Sequence, residues 1–203
     1  MNYVENLIDR YPNLCGCNEA LSVAIDKVVA MHSTGGTLLV CGNGGSAADS
    51  EHITGELLKG FLSLRPLSEE EKAGLPPETA ARLQGGIKAI PLHSLTSALT
   101  AFSNDISPDY AFAQLVWTFG EANGVFLGIS TSGNAKNVCA AAEVARAKGM
   151  TTIAMTGAGG GRLAQLCDVV IKVPETETYK VQELHLPVYH ALCAEAEARI
   201  FGG

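Results

Sequence analysis

No stretch of this sequence is apolar for long enough to span a bilayer, so a membrane-crossing helix is not expected. Nothing at the start, "MNYVENLIDRYPN", reads as a secretory leader, because acids come early and no basic segment precedes an apolar core. Positive charge is also scarce. With 14 Lys and Arg against 21 Asp and Glu, the formal net charge is -7. A surface of that sign has no basic patch with which to displace counterions from nucleic acid, so neither nucleic acid nor membrane is an expected partner. A small anionic ligand stays open, since loop N–H groups and helix N-termini hold phosphate without any cation. A soluble, cytoplasmic protein is the resulting expectation.

Clustered cysteine is missing too. Of six cysteines only Cys15 and Cys17 are close, as C-x-C, and no second pair completes a zinc knuckle. Buried, reduced thiols are the expectation for the set. Internal repeats and low-complexity tracts are absent. What remains is a chain of 203 residues, 47% hydrophobic and 17% charged, enough for one substantial core.

The order of that core is legible as an alternation. Five short apolar runs read as strands: "TLLVC" before Gly42, "KAIPL" at 88–92, "VFLGIS" at 125–130, "TTIAMT" at 151–156 and "CDVVIKV" at 167–173. Helical patterns occupy about 2–11, 18–33, 134–148 and 179–201, the last interrupted by Pro187, which predicts a kink or an irregular turn. Continuous apolar strands alternating with helices indicate an α/β fold whose parallel sheet is covered on both faces. Residues 64–86, "LRPLSEEEKAGLPPETAARLQGG", break the pattern and read as a surface excursion of two short helices, not a second domain.

Two loops carry the chemistry. After the first strand, "CGNGGSAADSEHITGE" matches G-x-G-x-x-A through Gly42, Gly44 and Ala47. A dinucleotide site also needs an acid at the end of the next strand, about 20 residues on, and that distance falls in "FLSLRPLSEE". A nucleoside triphosphate loop needs Lys and then Ser or Thr after its last glycine, and "GGSAAD" has neither. What fits is a loop that approaches an anion closely, with Ser46 as the cap of a new helix or as a hydroxyl turned to a ligand oxygen. The third strand leads into "STSGN", three consecutive hydroxyls at another strand-to-helix turn. Two such turns at strand carboxyl ends make a phosphate cradle without a cation.

These motifs, together with "TGAGGGRLAQLCDVVIKVP", resemble those of the sugar isomerase (SIS) domain family, in its phosphoheptose isomerase branch. The resemblance covers about 1–60 and 88–203 and omits 64–86. It implies a single SIS domain with a helical insertion, a five-stranded parallel sheet sandwiched by helices, and a homotetramer whose sites are shared between protomers. The implied reaction converts sedoheptulose 7-phosphate to the aldoheptose 7-phosphate through an enediol. Carried over residue by residue, the phosphate and sugar contacts fall on Asn43, Gly44, Ser46, Asp105, Ser130, Thr131, Ser132 and Gln182. The general base falls on Glu56 and the second acid/base on His190. A zinc ion would be held by His52, Glu56, Gln182 and His190. The match departs at Ala135, where the family has a phosphate-touching serine, and at Tyr179, where it has an aspartate.

The residue types suit the chemistry. Aldose–ketose isomerisation needs a base for a C–H proton and an acid at the oxygens, tasks that a carboxylate and an imidazole share. His52 and Glu56, spaced i and i+4, lie on one helix face, and Gln182 and His190 are two turns apart on another. An isolated pair of the first kind is usually only a solvated contact. Two imidazoles with two oxygen ligands suit zinc, which would polarise a carbonyl or enediolate. His185 is a supporting candidate, while His32 and His93 receive no role. Alternatives are a non-catalytic SIS protein that senses sugar phosphate or binds a partner of the replication-initiator kind, and a lyase or etherase acting on an amino-sugar phosphate. The non-catalytic relatives lack a carboxylate at the position of Glu56.

Overall fold

The structure is a computed structural model, and it describes residues 2–202. Five parallel strands form one sheet in the order β2-β1-β3-β4-β5: β1 (Leu38–Cys41), β2 (Ala89–Pro91), β3 (Val125–Ile129), β4 (Thr151–Thr156) and β5 (Val169–Lys172). Each falls within one of the five apolar runs. The helices are α1 (Tyr3–Arg10), α2 (Asn18–Ser33), α3 (Gly45–Leu58), α4 (Glu69–Lys72), α5 (Pro77–Ala80), α6 (Thr96–Asp105), α7 (Ala111–Phe119), α8 (Lys136–Ala147), α9 (Leu163–Leu166) and α10 (Thr178–Phe201).

Alternation along the strands sorts the core into two layers. Leu38 and Val40, with Val125, Leu127 and Ile129, pack toward α1, α2, α3 and α10. Leu39, Cys41 and Phe126 point the other way, against α7 and α8. Each such side chain contributes roughly 1.5–3 kcal/mol on leaving water, so both layers are needed to hold the sheet.

The strand order reverses between β1 and β3. From β1 the chain crosses outward to β2, then returns to place β3 on the opposite side, with Cys41 in register with Gly128. The loops that leave the carboxyl ends of β1 and β3 therefore diverge and open a crevice, the position at which open α/β sheets bind ligands. They are "GNGGS" and "STSGN".

Two local expectations are corrected. Ser46 does not cap α3; Gly44, at φ +56°, occupies the N-cap, and Ser46 lies within the first turn. Nor does α8 begin at 134. Gly133 takes φ +68° and the Asn134 side-chain amide donates to the Ser132 carbonyl at 3.0 Å, which holds the backbone off the helix until Lys136. A side chain on Gly133 would also meet the Gly160 carbonyl oxygen at 2.0 Å, so only glycine lets the "TGAGGGR" loop pack there. At Pro187 α10 continues without interruption, since proline removes one ladder hydrogen bond and the flanking Val188, Tyr189 and Leu192 are anchored in the core.

The 64–86 stretch does form two short helices, α4 behind a Ser68–Glu71 capping box and α5 behind Pro76. Its first turn is not a surface feature, however. Arg65 is 1% exposed and its Nε bonds Glu197 at 2.8 Å. All six cysteines are free; Cys15 is exposed and Cys167 half-buried, a departure from uniformly buried thiols.

Candidate active site

The crevice holds a small polar cavity of about 180 Å³ whose walls include Asn43, Ser46, Ser130, Thr131, Ser132 and Gln182. Neither lysine nor arginine lines it. Among the described residues no hydrogen bond occupies the hydroxyls of Ser46 or Thr131, and Ser46 is buried at 3% exposure. Helices α3, α8 and α10 all begin here with no side chain capping them from the N-cap position. The Ser46 and Ala47 N–H groups of α3 turn back to the Asn43 and Gly44 carbonyls, and Asn137 Oδ1 accepts from the Val138 N–H of α8, which leaves the other first-turn N–H groups beside the cavity for a ligand. Uncapped N-termini, free hydroxyls and enclosure are the physical requirements for an anion held without a cation.

Three further residues belong to this cavity's construction. Thr178, the first residue of α10, lines it. Asn43 and Asn137 exchange side-chain amide hydrogen bonds in both directions, each at 2.9 Å, and so tie the β1 loop to the start of α8 across the crevice. Gly45 leaves room for Gln182, whose amide nitrogen would lie 2.5 Å from any Cβ there. Ala135 lines the cavity with its methyl group, so the hydroxyl expected from the resemblance is missing. Tyr179, by contrast, points to solvent, 56% exposed. Gly44 lies in the loop backbone as the α3 N-cap and is exposed.

Farther along α3 and α10 lies a second cluster. His52 Nε2 is 3.3 Å from Glu56 Oε1 and 3.4 Å from His190 Nε2. The other Glu56 oxygen accepts a hydrogen bond from Lys59 at 2.9 Å, a partner that the sequence reading missed although it lies only three residues away. The rings of His52 and His190 meet edge to face, with centroids 4.9 Å apart, and Phe61 lies 5.6 Å from His190. Burial and the neighbouring His52 lower the His190 pKa, against the opposing pull of Glu56, so its imidazole is neutral at pH 7. On the far side of His52 the Tyr189 hydroxyl reaches Nδ1 at 3.0 Å and Asp49 at 3.3 Å. Burial raises the Asp49 pKa, and the Tyr189 hydrogen bond opposes that shift.

Not every expected residue arrives at these places. Gln182 belongs to the cavity wall and makes no hydrogen bond to His52, Glu56 or His190. Among the described residues no group of three or more His, Cys, Asp or Glu side chains is arranged to hold a metal ion within this chain. The donors themselves suit zinc: ligands about 2.0–2.1 Å from a tetrahedral ion stand about 3.3–3.4 Å apart, the spacing His52 keeps from each neighbour. Asp105 joins neither cluster. It lines a separate apolar cleft between α6 and α7, where Ile106 is 71% exposed. His185 is fully buried in α10, and burial lowers its pKa to about 4 against the opposing effect of the Thr156 backbone.

The chain is similar to known proteins. The SIS domain family model matches residues 2–157. The phosphoheptose isomerase of Rhodospirillum rubrum is 38% identical over 195 residues, covering 96% of this chain and 94% of its own. Phosphoheptose isomerase 2 of Campylobacter jejuni is 40% identical, covering 87% and 78%. Among solved structures, a phosphoheptose isomerase from Francisella tularensis superposes with a TM-score of 0.78 at 29% identity, covering 96% and 94%. That from Neisseria gonorrhoeae reaches 0.74 at 33%, covering 89% and 86%.

Proposed function

The chain belongs to the SIS domain family, and from that membership and its likeness to phosphoheptose isomerases we propose that it isomerises a phosphorylated ketose to the aldose, with sedoheptulose 7-phosphate as substrate. The observation that carries the reading is the pairing of two sites on the same two helices: an anion cavity at their start, and a carboxylate with two imidazoles two to three turns on.

That pairing acts as a ruler. Ser46 and Glu56 are ten residues apart on α3, and Gln182 and His190 eight apart on α10, or about 15 Å and about 12 Å at 1.5 Å per residue. With its phosphate in the cavity, a three-carbon sugar falls well short of Glu56. A longer, seven-carbon chain reaches toward it, which supports a heptose over a triose.

In the reaction Glu56 takes the proton from C1 of the ketose, once Lys59 has swung off its carboxylate; the lysine side chain is 59% exposed and free to do so. The neutral His190 donates a proton to the C2 oxygen and takes one from the C1 hydroxyl, giving the enediol and then the C1 carbonyl. Glu56 returns its proton to C2. No atom is gained or lost. Ser46, Ser130, Thr131 and Ser132, with the uncapped N–H groups, hold the phosphate throughout, which keeps the reacting carbons in register.

The proposal extends to a zinc ion, which His52, Glu56 and His190 would hold with Gln182 and which, when bound, polarises the substrate oxygens. It also extends to a homotetramer in the cytoplasm. The apolar cleft between α6 and α7, where Ile106 is 71% exposed, supports burial against another protomer, and a shared site would bring Asp105 to the sugar. The buried free thiols accord with a reducing compartment. The carboxylate of Glu56 favours catalysis over sugar-phosphate sensing.

The test is solvent exchange. In deuterated water the protein should incorporate deuterium beside the carbonyl of sedoheptulose 7-phosphate. Glu56→Gln should abolish this while the sugar phosphate still raises the melting temperature. Absence of exchange into any sugar phosphate by the unaltered protein would overturn the reading.

A further inference from the structure

We infer that Tyr189 is a positioning residue that fixes the proton of His52 on Nδ1 and turns Nε2 toward Glu56 and His190, a role that rests on the isomerase reading for its consequence but not for its geometry. The argument is a count of protons. Tyr189 is 1% exposed, so its hydroxyl has no water to bond, and among the described residues it meets only Asp49 Oδ1 at 3.3 Å and His52 Nδ1 at 3.0 Å. A hydroxyl has one proton to give. In the contact with Asp49 the hydroxyl donates and the carboxylate oxygen accepts, so the tyrosine proton goes to Asp49. The tyrosine oxygen is then left to accept, and among the described residues the donor facing it is His52 Nδ1–H.

The consequence appears at the other edge of the ring. With Nδ1 committed, Nε2 is the nitrogen that faces Glu56 Oε1 and His190 Nε2, and it holds whatever cation, proton or metal, sits among the three. Edge-to-face packing of the Tyr189 ring against both His52 and His190, with centroids 5.4 and 5.1 Å apart, holds the orientation. The relay thus runs from α3 to α10 and back to α3: Asp49, Tyr189, His52.

Nitrogen-15 spectra of the histidine side chains test this directly. In the unaltered protein the His52 Nδ1 resonance should be of the protonated type with a directly bonded hydrogen. Tyr189→Phe keeps the ring and removes the hydroxyl, and should move the His52 proton to Nε2. Asp49→Asn retains an amide oxygen that accepts the tyrosine proton, so Nδ1 should stay protonated. On the sugar phosphate, Tyr189→Phe should lower kcat about 10- to 100-fold, the range for loss of a partner that orients a ligating histidine. KM should hold, because the phosphate cavity is untouched. A bare Nδ1 in the unaltered protein, an unchanged His52 spectrum in Tyr189→Phe, or an unchanged kcat would each overturn the inference. The spectra need no substrate, so they decide the proton's place even if the isomerase reading fails.

Discussion

Removing either partner of the Arg65–Glu197 pair should cost the protein much of its stability, and unequally. Arg65 is 1% and Glu197 2% exposed, so each group left alone is a charge out of water. The carboxylate accepts from Arg65 Nε at 2.8 Å and from the backbone N–H groups of Phe61, Leu62 and Ser63 at 2.7, 2.8 and 3.1 Å. Arg65 in turn donates to the carbonyls of Leu57 at 2.6 Å and Glu56 at 3.1 Å, the last turn of the helix that carries the base. Breaking a buried pair on one side costs about 3–5 kcal/mol. For a chain of this size each kcal/mol shifts the melting temperature by about 2–4 °C, so the loss is about 6–20 °C. Glu197→Ala should lie at the upper end, because it strands three backbone donors along with the guanidinium. Arg65→Met should lie at the lower end, because the carboxylate keeps those donors. The double replacement by Met and Leu should recover only part of the loss, since the loop N–H groups stay unpaired. Differential scanning calorimetry reads the series, and kcat of Arg65→Met, taken well below its melting temperature, reads the displacement of Glu56. Burial alone would raise the Glu197 pKa, but the Phe61 and Leu62 N–H groups and Arg65 outweigh it and lower it. The carboxylate's contribution is therefore full above 4.5, its unfolded value, and is lost as pH falls through the folded pKa below that. A double variant as stable as the unaltered protein, or a shift under 2 °C for Glu197→Ala, would refute the accounting.

His185 gives a second pH dependence of opposite chemical origin. Its pKa falls from 6.5 to about 4 on folding, so the unfolded chain binds the extra proton between those values and stability drops as pH is lowered through that window. The full loss is about 3 kcal/mol, of which about 2 kcal/mol is reached by pH 5. Urea midpoints of the unaltered protein should fall between pH 7.5 and pH 5, while those of His185→Leu fall less; parallel curves would disprove the assignment. The Asn43–Asn137 amide exchange should matter for phosphate binding. Because the pair is exposed, Asn137→Ala should weaken sugar-phosphate binding by about 1 kcal/mol, roughly fivefold. Asn43→Ala in the same background should add little, and full additivity in the double-mutant cycle would show that the two loops are not coupled through this pair.

The sheet was legible because its strands are buried on both faces, which turns them into short continuous apolar runs such as "VFLGI" and "TTIAMT". The two anion loops were legible because their meaning is local: glycine and hydroxyl residues in a few consecutive positions. Helix starts were less so. Ser46 and Asn134 have the side chains of caps, but the left-handed glycines beside them decide where the backbone turns helical, and that is set by how closely the loops pack. Contacts across the chain left no pattern to read. Arg65 and Glu197 are 132 residues apart, and Tyr189 meets His52 across 137, so neither pair has a spacing that marks it. Arg65 stood in a charged, proline-rich stretch whose composition says surface, and its burial follows from the helix-end carbonyls that need a donor.

A division of labour between two helices follows from the switch of strand order. The crevice between β1 and β3 fixes where α3 begins, and its next two turns place His52 and then Glu56 away from the sheet edge. The last strand sends α10 from the same end, so its first two turns give Thr178 and Gln182 to the cavity while His190 comes to face His52. Each helix therefore carries one part of the proposed anion site at its N-terminus and one part of the proposed acid/base pair farther down. Their mutual packing, through Tyr189 against Asp49 and His52 and through Cys193 beside the Ile53 carbonyl, holds the two halves in register. On the isomerase reading, substrate length is then set by the spacing along α3 and α10 and not by the loops. Changes at Tyr189 should alter chemistry without altering phosphate affinity, and changes at Asn137 should do the reverse.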